Sequence, residues 1–133
     1  MNIRRSAAAA AATLMLGGGL AIAAPAANAE TWHRQWGPVE ISAAYLRTHD
    51  HQWVSSGHNQ PGGTTMARAA ITCDKGKMTV KVRNMSSGKS DTTNATCHGS
   101  KRPSYATVAA RPGDQIKFIL TGSKATQIAA WAG

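Results

Sequence analysis

Residues 66–97 read MARAAITCDKGKMTVKVRNMSSGKSDTTNATC. In residues 78–83, Met78, Val80 and Val82 alternate with Thr79, Lys81 and Arg83. That is strand period, with an apolar side turned inward and a cationic side left in water. Ahead of it, Asp74-Lys75-Gly76-Lys77 is a turn in which Gly76 is free to take positive φ. Residues 66–73 supply the partner strand, so the stretch opens as a β-hairpin. Residues 84–93 are rich in Ser, Gly and Lys and read as a polar loop. Residues 95–98 then form a short strand that carries Cys97 back toward Cys73. These are the chain's 2 cysteines, and an even pair in an exported chain reads as one disulfide. Closing a loop of about 25 residues removes denatured-state entropy worth roughly 3.5 kcal/mol. Metal ligation by Cys97 and His98 is the weaker reading, because adjacent ligands lack a C-x-x-C or H-x-H partner nearby.

Working outward toward the C-terminus, residues 105–110 are a strand and residues 111–114 a turn. Pro112 sets φ there, and Gly113 accepts the left-handed position. Ile116, Phe118 and Leu120 alternate along the next strand, residues 121–124 turn the chain, and residues 126–131 close it. In the other direction, residues 48–65 hold no period and read as a long loop. Residues 39–46 place Val39, Ile41, Ala43 and Tyr45 on one face and read as a strand that starts after Pro38. Ala43, Ala44 and Leu46 would also suit a short helix. The sum is an all-β chain: a small antiparallel β-sandwich or barrel of six to seven short strands with one disulfide.

Residues 1–29 stand apart. Arg4 and Arg5 precede an uncharged run over residues 7–24, and Ala27-Asn28-Ala29 precedes Glu30. A positive start, an apolar middle and an A-x-A site are the three parts of a secretory signal peptide. The run is too short and too rich in Ala and Gly for a good membrane span. We therefore expect residues 1–29 to be removed, residues 30–133 to form a single small domain with no transmembrane segment, and the product to be secreted by a bacterium. Ser6 and Ala7 after the arginine pair favour the general export route over the twin-arginine one.

The chain has 15 Lys and Arg against 6 Asp and Glu, a formal net charge of +9. Such a balance draws a secreted protein to anionic polymers, glycans or acidic surfaces. The cations are scattered, with no block of the kind that forms a nucleic-acid arm, so no specific nucleic-acid partner is expected. Four tryptophans accompany one Phe and two Tyr. Trp36 and Trp131 read as plugs for the open ends of a sandwich. Trp32 and Trp53 lie outside alternating runs and, with Lys81 and Arg83, are the candidate binding residues.

Chemistry beyond binding has little to stand on. His49, His51 and His58 could converge on copper or zinc from a loop, or simply be solvated. Ser55 or Ser56 with His51 and Asp50 supplies hydrolase residue types, but no nucleophile elbow frames either serine. Asp74, Asp91 and Asp114 fall in turns and loops, where acids serve backbone geometry, which leaves no clear carboxylate pair for glycoside hydrolysis. The expectation is a non-enzymatic binding or interaction protein. An inhibitor of a secreted hydrolase and an extracellular copper- or zinc-binding protein using the histidine loop are the alternatives.

Two stretches resemble known families. Residues 110–118, ARPGDQIKF, resemble the P-G-D-x-V-x-F strand entry of cupredoxins. That family places Cys, His and Met ligands after this strand. None of these follows Asp114, so the resemblance implies a turn and a strand without a copper site. Cys73, Thr79-Val80-Lys81-Val82, Cys97 and Pro112-Gly113 together resemble the grammar of the small secreted α-amylase inhibitors of the tendamistat type. The inhibitors' Trp-Arg-Tyr triplet and second disulfide are missing here, so no site residues carry over.

Overall fold

The computed structural model of the chain describes residues 31–99 and 102–133. The anticipated signal, residues 1–29, lies outside them. The elements run β1 (His33–Ile41), α1 (Ala43–Thr48), β2 (Gln52–Val54), β3 (His58–Asn59), β4 (Met66–Cys73), β5 (Lys77–Asn84), β6 (Ser90–Thr96), β7 (Ser104–Ala109), β8 (Gln115–Gly122) and β9 (Thr126–Ala132). They form two antiparallel sheets. The first has the order β1-β9-β4-β7. The second has the order β2-β8-β5-β6, and β3 also pairs with β8.

Alternation fixes which side chains meet. Along β4 every second residue from Ala67 is buried, and along β5 every second residue from Met78. Along β8, Ile116, Phe118 and Leu120 are buried in the same way. These inward sets face each other across the sandwich and form one continuous core with Ile71 and Ile128. The expected all-β sandwich is therefore what the chain builds, and the expected disulfide is present. Cys73 ends β4 in the first sheet, and Cys97 follows β6 in the second. The bond ties the two sheets at one end, with the two Cα atoms 4.8 Å apart. The Cys97 N–H donates to the Gly76 carbonyl at 2.8 Å, and the Gly99 N–H to the Cys73 carbonyl at 2.9 Å, so backbone hydrogen bonds brace the link on both sides.

The two long sides of the sandwich are closed by different means. On one, β6 and β7 are the edges of opposite sheets. Thr93 donates its hydroxyl to the Tyr105 carbonyl at 2.7 Å, and the Asp91 carboxylate accepts from the Thr107 N–H at 2.9 Å. Side chains of one edge thus satisfy the free backbone of the other, which leaves less edge open to pair with another chain. On the opposite side, aromatic rings fill the gap between β1 and the β2–β3 segment. The Trp36 ring packs edge-on against Phe118 at 5.2 Å, lies 5.2 Å from His58, and meets Trp53 at 6.2 Å.

Three local expectations are corrected. Residues 39–46 are not one strand: β1 ends at Ile41, and residues 43–48 are helical. The cause is Ser42, whose side chain accepts from the Tyr45 N–H at 3.0 Å and caps a run of good helix formers. Leu46 is fully buried as a result. The long loop also contains β2 and β3, two short additions to the edge of β8. Between them Ser55 takes the place of a ladder residue: its N–H donates to the Phe118 carbonyl at 2.9 Å, and its hydroxyl accepts from the Phe118 N–H at 2.9 Å. The polar loop ends early, because β6 starts at Ser90 and pairs with β5 over its whole length.

Candidate functional site

The β5 alternation that builds the core also builds a surface. Its outward residues are Lys77, Thr79, Lys81 and Arg83. Register then brings in the neighbours. On β8, Lys117 stands directly opposite Arg83, and Ile119 opposite Lys81. On β6, Ser90, Thr92, Asn94 and Thr96 stand opposite Arg83, Lys81, Thr79 and Lys77 in turn. Thr79 donates its hydroxyl to the Asn94 side-chain carbonyl at 3.0 Å, which orders the middle of the face. The result is a sheet surface of cations among short polar side chains. No acidic residue occupies an outward position on β5, β6 or β8. Asp91 is turned away to the Thr107 N–H.

Electrostatics make this arrangement costly. Directly opposed cross-strand residues lie about 5 Å apart, and residues two along a strand about 7 Å apart. Lys81, Arg83 and Lys117 therefore crowd one area. Like charges directly opposite one another destabilise a sheet, and salt screens the effect where the side chains reach water. A bound anion would remove that cost.

The anticipated binding residues fall in three places. Lys81 and Arg83 belong to the cationic face. Trp53 does not project as a free platform, because it is half-buried in the aromatic plug beside Trp36. Trp32 lies over the Arg68 guanidinium at 3.9 Å on the outer side of the first sheet. Lys77 and Lys117 complete the face that Lys81 and Arg83 begin. Trp36 plugs the sandwich as expected, and its indole N–H is buried without a hydrogen-bond partner among the described residues. Trp131 stands outward, opposite Arg34 and Arg68.

The three histidines are not gathered. His49 ends up at the helix terminus, its ring stacked on Tyr45 at 3.7 Å and its Nδ1 2.8 Å from the Tyr45 carbonyl. His51 occupies the adjoining turn with φ of 59°. His58 is pulled into the aromatic plug by the pairing of β3 with β8. Among the described residues, no group of three or more His, Cys, Asp or Glu is placed to hold a metal ion.

Several residues with reactive groups are engaged elsewhere. Ser55 is buried and spends its hydroxyl on Phe118 and on the Ser56 carbonyl. Asp114 accepts from the Asn84 side chain at 2.8 Å and from the Arg111 N–H at 2.9 Å. Those two hydrogen bonds, the Asn84 one foremost, hold its carboxyl below the usual aspartate range. Asn84 itself is buried and uses both ends of its amide. It donates to Ala109 and Asp114 and accepts from the N–H groups of Ser86 and Ser87.

Fold and face together define a disulfide-linked β-sandwich with a cationic sheet surface. Against protein-family models, curated proteins and solved structures, the chain finds no match in any of the three.

Proposed function

We propose that the protein is exported and acts, without catalysis, by binding an anionic polymer through the outer face of the second sheet. One observation carries this reading: Lys81, Arg83 and Lys117 are massed on adjacent strands, with Arg83 directly opposite Lys117 and no outward carboxylate to relieve them. A repeating anion such as a teichoic acid or an acidic polysaccharide would supply the missing charge. Cations spread along two paired strands suit an extended chain better than a small molecule. The disulfide supports an oxidising setting outside the cytoplasm. The engagement of Ser55, Asp91 and Asp114 in backbone hydrogen bonds supports binding over hydrolysis.

The test is retention on immobilised polyphosphate or heparin in rising salt. Binding should weaken steeply as salt rises, because each neutralised phosphate or sulfate releases a counterion. Changing Lys77, Lys81, Arg83 and Lys117 together to Gln should lower the slope of log affinity against log salt by about three units. An unchanged slope in a folded variant defeats the proposal.

A further inference from the structure

The first sheet carries a different surface on its outer face. Its register sets side chains in rows across the strands. Arg34, Trp131 and Arg68 make one row, and Glu40, Gln127 and Thr72 another. The row between them consists of Ala129, Ala70 and Tyr105. Two methyl groups flanked by larger side chains leave a trough of about 230 Å³, with Trp131 and Tyr105 on its rims and Pro38 and Pro103 at its ends. Gly37 makes the Pro38 end possible. Its φ is +88°, and a Cβ there would stand 2.6 Å from the Ile128 carbonyl oxygen, so β1 lies close over β9 only with glycine at that point.

The trough is polarised and its aromatic rims are held. Arg34 lies over the Trp131 ring at 5.8 Å on one side, while Glu40 stands beyond Gln127 on the other. Arg68 is clasped by rings, 3.9 Å from Trp32 and 4.7 Å from Tyr105, and donates its Nε–H to the Thr107 hydroxyl. That clasp fixes Tyr105, which is still 46% exposed. The volume is below the range of about 300–1,000 Å³ usual for whole small-molecule ligands, so the trough suits one ring of a longer chain.

We propose that this trough binds a single acidic sugar residue of a polysaccharide. The pyranose ring would lie on the alanine floor against Trp131 and Tyr105, its carboxylate toward Arg34 and its hydroxyls toward Gln127 and Thr72. Aromatic faces pack against the C–H faces of a sugar ring, and Arg pairs with carboxylate in a planar, two-point fashion. The carboxylate points to the Arg34 side, because Arg34 is the cation that lines the trough. The inference goes beyond the polyanion reading. It concerns the opposite sheet, and it requires a ring as well as a charge.

The experiment is titration of the exported protein with oligogalacturonate, followed by tryptophan fluorescence. The neutral galactose oligomer and oligoglutamate of equal length serve as comparisons. Oligogalacturonate should bind at least about tenfold more tightly than either. Ala70→Leu fills the floor from an outward position and should abolish this preference, and Arg34→Gln should bring oligogalacturonate down to the level of oligoglutamate. Retention of Ala70→Leu on polyphosphate should stay unchanged, so the two proposals fail separately. Equal binding of all three oligomers, binding of none, or an Ala70→Leu or Arg34→Gln variant that keeps the preference overturns the trough.

Discussion

On the outer face of the first sheet, the Arg68 guanidinium lies between the rings of Trp32 and Tyr105. On the outer face of the second, Arg83 stands opposite Lys117 and two residues from Lys81. Both faces are strand surfaces of the same sandwich, and both carry cations. In the first, the cation is absorbed into packing: its charge meets two aromatic rings, and its Nε–H donates to Thr107. In the second, each charge adds to the next. The difference teaches what each charge does for the fold. A stacked arginine takes part in packing, whereas opposed cations work against the sheet that carries them.

The comparison depends on both faces being held to one core, and the cross-link between the sheets is the strongest way to break it. Replacing Cys73 and Cys97 together by Ala should cost about 3 kcal/mol by urea denaturation. If the loss is under about 1 kcal/mol, the bond is not what constrains the two sheets. Next in size is the contrast between single cations. Arg68→Ala should cost about 1–2 kcal/mol, since it removes two ring contacts and a hydrogen bond to Thr107. Lys81→Ala should change stability by less than about 0.5 kcal/mol. Equal costs at the two positions would erase the distinction between the faces. Arg68→Lys should recover only part of the loss, because an ammonium cannot stack between two rings as a planar guanidinium does.

The residues themselves explain how far the sequence could be read. Strand β5 was legible because Met78, Val80 and Val82 alternate cleanly with polar neighbours, and its outward Lys81 and Arg83 came with it. Strand β6 was hidden, because it is polar on both faces. Thr92, Asn94 and Thr96 meet water, while Asp91 and Thr93 hydrogen-bond to the backbone of β7. No hydrophobic period marks such a strand. Helix α1 was masked by an accidental two-residue alternation through Ile41, Ala43 and Tyr45, although Ser42 carried the capping signal. The sites needed register more than pattern. Lys117 joins Arg83 only through the β5–β8 pairing, and the trough exists only where Ala70, Ala129 and Tyr105 from three strands share a row. Spacing along the chain contains neither fact.

Charge reversal at Arg83 has a modest effect and a pointed one. Arg83→Glu places a carboxylate opposite Lys117, so a repulsive cross-strand pair becomes an attractive one. Opposite-charge pairs on a sheet contribute about 0.2–1 kcal/mol, and removing the repulsion adds a similar amount. A net gain of about 0.5–1 kcal/mol is expected at low salt, shrinking as salt screens the pair. Arg83 is exposed, so no packing loss competes with that gain. The same variant should elute from polyphosphate at lower salt. A substitution that stabilises the fold and weakens binding together is the signature of a charge kept for a ligand. If Arg83→Glu instead lowers stability, the second face is already relieved by contacts of its own and needs no anionic partner.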